Sequence, residues 1–462
     1  MAIAVASTSL GLYATGYLEG KSHPMALSSP ASSSTTFSAD YASPEELRLA
    51  IQELRDTFPE KHVVTTDPDT LQLYGSSENS YHPSSPHSVV VRVFGTEDVV
   101  KVVNISRKYR VPVTAYSGAT SLEANAVRYG TARAEWFLNV VSMATIAFAA
   151  VTKNHKTVVL PSGEVIKTRS RARKSATGFD TTKLFIGAEG TLGIVTEATL
   201  RLAPVIPTKV AMAQFADVEH AVSAVQEILN SPYGPHLQCI ELLDDHMMEA
   251  LNIAGQVKRP FPVKDTLFFK IQGAPEAIKL TSDVVREITV RHGSDRFEFA
   301  ATDEEAADLW SSRKYALSSS ISLVPGCRCW TSDVCVPTSK LPELVYETKK
   351  DMANSGITST IVGHVGDGNF HALMLFNNDD ELHVVTEAVH RLVHRAIALD
   401  GTCTGEHGVG VGKKEYLPAE LGEGTVELMR TVKKAIDPMN LFNPGKLYPD
   451  AQQSHEERGK AH

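Results

Sequence analysis

The stretch that decides the fold reads Ile361-Val362-Gly363-His364-Val365-Gly366-Asp367-Gly368-Asn369-Phe370-His371-Ala372-Leu373-Met374. It is echoed by Gly401-Thr402-Cys403-Thr404-Gly405-Glu406-His407-Gly408-Val409-Gly410. Apolar flanks place His364 and His371 on strand ends, and the glycines between them mark a bulge or tight turn. Two imidazoles and a carboxylate suit a first-row divalent metal and can leave coordination positions open for a substrate. With Glu406 as the third ligand, His407 is left to act as a base. Any one of these histidines alone is explained as a hydrogen-bonded core or turn residue. Two of them around a Gly-Asp-Gly-Asn turn, with Glu-His in a second glycine-rich turn, favour the metal site. The residues alone name no reaction.

Further along stand Asp437-Pro438-Met439-Asn440 and Asn443-Pro444-Gly445-Lys446. With the two His-bearing stretches they resemble the C-terminal half of the FAD-linked 2-hydroxyacid dehydrogenases. These are flavoproteins of the vanillyl-alcohol-oxidase type, and the likeness is to their mitochondrial, cytochrome-linked D-lactate branch. It runs from about Pro86 to Tyr448. The resemblance implies an α+β fold: a two-lobed FAD-binding domain, then an antiparallel-sheet substrate domain with helices on one face. It implies oxidation of D-lactate to pyruvate, with electrons passed to cytochrome c or a similar acceptor, and a mitochondrial location.

Such an oxidation needs a cation for the carboxylate, a proton acceptor for the hydroxyl and a hydride acceptor above Cα. Zinc or manganese on His364, His371 and Glu406 would bind the substrate oxygens and lower the hydroxyl pKa. His407 would take the proton. By resemblance, Arg313 in Trp310-Ser311-Ser312-Arg313-Lys314 reads the substrate carboxylate through its planar fork; by itself it reads as a surface cation on a helix. Relatives that oxidise D-2-hydroxyglutarate carry a lysine just before the strand matching Asp333–Pro337 and an Asn two residues after the second His. Here Trp330-Thr331-Ser332 and Leu373 stand in those places. A distal carboxylate would lack its partners, so D-lactate is expected, with D-2-hydroxyglutarate and glycolate as alternatives.

The cofactor side lies upstream. Val111–Tyr116 reads as a strand running into Ser117-Gly118-Ala119-Thr120-Ser121, a small-residue turn whose backbone N–H groups suit a pyrophosphate. An ordinary β-turn fits the same residues. In the resembled family this loop, with Tyr116, holds the FAD diphosphate. Leu184–Glu197 follows later, where Gly187, Gly190 and Gly193 permit close backbone approach or simply a strand–turn–strand. By resemblance Gly187, Glu189, Gly190, Thr191, Gly193, Ile194 and Asn443 lie along FAD.

Between the two the pattern breaks. After Leu122-Glu123, Ala124–Gly130 resembles the tail of the family's second cofactor loop, so the intervening strands and the Pro/Gly turn that cradles the flavin have no counterpart. Val141–Lys156 then interposes an apolar and basic segment. We read both as faults of splicing, with true divergence as the competing reading. Losing the middle of a parallel-strand domain exposes edges. The expectation is weak FAD binding, and an inactive metal-binding remnant is the alternative to an enzyme.

Composition bounds the rest. A length of 462 residues allows two or three domains, and a net charge of −9 without a basic stripe speaks against nucleic acid. The five cysteines lack the number and spacing of a disulfide framework. Residues 1–43 form an apolar, Ser-rich targeting or linker segment that could associate with a membrane; no Arg precedes Arg48, so the usual mitochondrial presequence signature fails. The expected domains are 44–204 for FAD and 205–449 for substrate and metal, with a polar tail at 450–462.

Overall fold

The computed structural model describes residues 40–75, 80–82, 86–116, 138–142, 156–172, 174–199, 202–258 and 260–449. Outside these lie the loop Ser117–Ser121, residues 124–130, most of the interposed segment, the N-terminal segment to residue 39 and the tail.

Ser43 opens the first helix, Pro44–Thr57. Its hydroxyl accepts from the Glu46 backbone N–H, and the Glu46 carboxylate accepts from the Ser43 N–H at 2.7 Å, closing a capping box. The first sheet follows in the order Val64–Thr65, Val89–Val93, Leu138–Ser142, Val113–Tyr116. Its outer pair is antiparallel, and Leu138–Ser142 lies parallel between the other two strands. The helix Thr96–Tyr109 spaces Val99, Val102 and Val103 along one face, and these share a core with Val89, Val91 and Val93. Leu138–Ser142 thus carries on through Val141 and Ser142, where the sequence expects the interposed segment to begin.

The second lobe is a three-stranded antiparallel sheet, Val165–Lys167, Lys156–Val159 and Ile194–Ala198. The C-terminal segment returns to the first sheet. Val113 donates to the Leu441 carbonyl at 2.7 Å and Asn443 donates to the Val113 carbonyl at 2.8 Å. Leu441 and Phe442 are buried in the core of that sheet.

The substrate-side sheet is antiparallel, ordered Arg296–Phe299, Thr208–Phe215, Asp265–Gln272, Leu237–Leu243, Ser359–Gly363, Asn369–Phe376, Arg328–Thr331, with Val334–Cys335 also on Asn369–Phe376. Four long helices, Val218–Asn230, Pro275–Arg291, Leu341–Ser355 and Asp379–Ala398, bury their apolar stripes in one large core against it. Val218, Ala221, Val222, Val225 and Ile228 show the helical spacing that makes this possible. The opposite face carries the shorter helices Asp245–Ala254, Asp303–Lys314 and Ala316–Ser322, packed over Leu243, Phe268, Val362 and Leu373. The sequence reading has no helix at Asp245–Ala254; Asp244 caps it by accepting from the Met247 N–H at 2.9 Å. Among the described residues no helix is long and apolar enough to cross a membrane.

Candidate functional site

The motif folds as a hairpin. Ser359–Gly363 runs into a 3-10 turn at Val365–Asp367, and Asn369–Phe376 returns beside it with Val362 opposite His371. His364 sits just past the first strand and His371 is the third residue of the second. Gly363 is required by contact: a Cβ there would lie 2.4 Å from that of Phe370.

Both imidazoles point Nε2 toward Glu406 Oε1, His364 at 3.3 Å and His371 at 3.1 Å. Each Nδ1 has its own partner. His364 Nδ1 lies 2.8 Å from Glu241 Oε1, and His371 Nδ1 lies 3.0 Å from the Ser332 carbonyl. A carboxylate or carbonyl on Nδ1 leaves the Nε2 lone pair for a ligand, the arrangement that orients metal-binding histidines. Donors bonded at about 2.0–2.2 Å to one ion stand roughly 3–3.5 Å apart, a spacing that the two His–Glu406 pairs show. His407 Nε2 is 3.7 Å from the same Glu406 oxygen.

At this site the residues whose donor atoms all lie within 4.8 Å of one another are Asp333, His371, Glu406 and His407; His364, expected as a ligand, is not among them. Asp333 serves as an anchor of the Glu406 turn, with most of its donors on one oxygen. One oxygen accepts from the backbone N–H of Glu406 at 3.0 Å, that of His407 at 2.9 Å and the Thr404 hydroxyl at 2.8 Å; the other accepts from Asn369 Nδ2 at 3.0 Å. The position of Asn369 makes Gly405 obligatory, since a Cβ there would lie 2.2 Å from Nδ2.

Arg313 completes the site from the helix Asp303–Lys314. Its Nε donates to Glu241 Oε2 at 2.8 Å, and Nη2 lies 3.1 Å from His364 Nε2. The electrostatics are mutual. Hydrogen bonds from His364, then His371, hold the Glu406 carboxyl far below its usual range. Contact with Glu241, then Glu406, raises His364 to about 9. The two carboxylates that raise His364 also favour a divalent cation. Burial pushes Asp333 up, but the charges of Lys413, His371 and His407 override it and hold it at about 2. Burial lowers His407, which favours a neutral, proton-accepting imidazole.

On the cofactor side three segments meet. Gly190 lies against Ala115, 3.9 Å from where a Cβ would stand, and Gly187 has open space around it; both have positive φ. This leaves a bare backbone turn beside the strand that ends at Tyr116, which fits one side of an extended cofactor. Gly193 has a different reason. Its Cβ would meet Val158 Cγ1 at 2.6 Å, so packing excludes a side chain. Asn443 donates through Nδ2 to the Glu189 carbonyl at 2.7 Å, and Thr191 pairs its hydroxyl with that of Tyr448 at 2.9 Å. The Ile194 side chain is buried. Ser117–Ser121 lie outside the described residues.

Sequence reasoning missed Glu241 and Asp333. Glu241 is a carboxylate within the strand Leu237–Leu243, and its side chain is only 4% exposed. A charge in an apolar, four-residue buried run was the available signal.

Residues 207–447 match the family of FAD linked oxidases, C-terminal domain. The chain is 41% identical over 332 residues to the mitochondrial D-lactate dehydrogenase [cytochrome] 1 of Saccharomyces cerevisiae, covering 70% of this chain and 53% of that protein. It is 33% identical to the Arabidopsis thaliana D-lactate dehydrogenase [cytochrome], covering 84% of this chain and 78% of that one. The same identity holds to the Kluyveromyces lactis protein, with 91% and 84% covered; that alignment takes 510 positions, more than this chain has residues, so it opens gaps here. In fold, the 4-ethylphenol oxidase of Gulosibacter chungangensis superposes with a TM-score of 0.69 at 16% identity, covering 89% of this chain and 99% of that one. P-cresol methylhydroxylase gives 0.66 at 15%, covering 88% and 98%.

Proposed function

The chain belongs to the FAD linked oxidases that carry this C-terminal domain, and we propose that it oxidises D-lactate to pyruvate and passes the electrons to a cytochrome-type acceptor. The observation that carries this reading is the convergence of Arg313, His364, His371, Glu406 and His407 at one place on the substrate-side sheet. Arg313 spends Nε on Glu241 and sets Nη2 3.1 Å from His364 Nε2, which brings its guanidinium to the place where a substrate carboxylate would bind. His364, His371 and Glu406 would hold zinc or manganese. His407 accepts the hydroxyl proton on a neutral imidazole. When bound, FAD supplies the acceptor for the hydride leaving Cα, and the metal supplies a cation for the hydroxyl and carboxylate oxygens.

Substrate size follows from two paired positions. Thr331 stands opposite Leu373, and Leu373 is buried among Val362, Met247 and Leu243 two residues beyond His371. Neither offers a charge or an amide to a second carboxylate, which supports a short aliphatic acid. The test compares kcat/KM for D-lactate, glycolate and D-2-hydroxyglutarate, using a chain with the missing segment restored. A higher value for D-2-hydroxyglutarate would overturn the assignment. The names of the relatives also support a mitochondrial location; recovery of the tagged full chain from another compartment would remove that part.

A further inference from the structure

Glu189 occupies the left-handed region, at φ +52°, between Gly187 at +75° and Gly190 at +71°. A non-glycine residue stays there only when its surroundings hold it. Here the holding contacts leave the cofactor-side turn altogether. Oε1 accepts from the Val409 N–H at 2.6 Å and Oε2 from the Gly410 N–H at 2.9 Å. Gly410 is held a second time, its carbonyl accepting from the Leu447 N–H at 2.8 Å. Asn443, which donates to the Glu189 carbonyl, and Leu447 are also left-handed, at φ +43° and +66°. Val409 and Gly410 follow directly on Glu406-His407-Gly408. The near end of that turn is tied down by Asp333, and the far end by Glu189.

We propose that Glu189 is a positioning residue: its carboxylate clamps, from the glycine-rich turn of the cofactor lobe, the loop that presents Glu406 and His407. Two adjacent N–H groups converge on it, and a carboxylate can accept both. Glutamine offers one acceptor and turns a donor toward the other N–H. Aspartate is one methylene too short. The metal readout below rests on the metal reading above; the exchange readout does not.

The test uses the full chain and the variants Glu189→Gln and Glu189→Ala, with the exposed Lys183→Ala as a control in the same lobe. Hydrogen exchange by mass spectrometry follows peptides spanning 404–411 and 369–376, and a cobalt(II) titration follows metal affinity. Both Glu189 variants should exchange at least about tenfold faster in 404–411 with 369–376 unchanged, because local opening is governed by the contacts that close it. Cobalt affinity should fall about tenfold, as for other residues that orient ligands without touching the metal. Unchanged exchange in 404–411 for the Gln variant overturns the clamp, and this variant decides the matter if the Ala variant does not fold. A wild-type chain that binds no cobalt overturns the metal reading, while the exchange result still decides the role of Glu189.

Discussion

Arg313 and Glu241 meet across 72 residues of sequence, Nε donating to Oε2 at 2.8 Å. The second oxygen of the same carboxylate faces His364 Nδ1 at 2.8 Å. One buried acid therefore aligns a cation suited to the substrate carboxylate and an imidazole suited to a metal. Their relative position is set by a single side chain.

Replacing Glu241 should disturb both at once. Glu241→Gln should lower kcat/KM for D-lactate about 10- to 100-fold, with a raised KM, because orienting partners of ligands carry effects of that size. Glu241→Ala should cost about 3 kcal/mol of stability, since Arg313 then lacks its paired charge in a water-poor site. Steady-state kinetics and urea unfolding check the two parts. A Gln variant with unaltered KM and metal content would show that the contact is incidental.

Stability should respond to pH through Asp244. Burial raises this carboxyl to about 6, although Lys349, 3.8 Å away, pulls it down. Unfolded, it titrates near 3.9. The folded state therefore holds this proton more tightly, and its contribution is complete below about pH 4 and is lost as pH rises through about 6. Asp244→Asn keeps an acceptor for the Met247 and Ile361 N–H groups. The variant should gain on the wild type between pH 4 and 6 and stay ahead at pH 7, by up to about 3 kcal/mol at 1.36 kcal/mol per pKa unit. Urea unfolding at pH 4, 5, 6 and 7 checks it, and parallel curves would refute it.

Lys433 should prove structural. Its buried ammonium donates to the Thr191 and Phe442 carbonyls at 2.9 and 2.8 Å and to Asp437 at 2.5 Å. This joins the helix Glu423–Ile436 to the cofactor-side turn and to the segment paired with Val113. Lys433→Met leaves Asp437 without its counter-charge and should cost about 3 kcal/mol, with faster proteolysis between 437 and 447. A melting temperature within about 1 °C of wild type would contradict the anchor, as a loss of that size shifts it by several degrees.

Flavin loading tests the integrity of the cofactor lobe. The 462-residue chain should purify with little FAD, and a version restored between Glu123 and Ala124 should purify yellow with one flavin per chain. Each missing backbone hydrogen bond to the cofactor forfeits roughly 0.5–1.5 kcal/mol, and several together weaken binding by orders of magnitude. Flavin absorbance per chain is the measurement. A fully loaded preparation of the present sequence would mean that the chain diverged rather than lost a segment.

Much of the local structure was legible. The apolar spacing of Val99, Val102 and Val103 marks the helix Thr96–Tyr109, and Ser43 with Glu46 three residues on is the residue pair a capping box needs. The substrate-side strands and long helices also follow their patterns. The helix Asp245–Ala254, part of the second layer on the sheet, is not evident from the sequence pattern. It is short, and its two buried methionines share a core with Leu243 and with Val362, the latter far outside any sequence window.

Of the site, the sequence determined the residue types, the hairpin that separates His364 from His371, and the glycines without which that hairpin cannot close. These follow from spacing, turn chemistry and backbone freedom over a few residues. Only the tertiary structure decided that Glu241 joins Arg313 to His364, that Asp333 anchors the Glu406 turn, and that Glu189 reaches that turn across 220 positions. A hydrogen bond depends on donor and acceptor meeting within about 3 Å at a suitable angle. Separation along the chain carries no trace of that meeting; the packing of sheets and helices creates it.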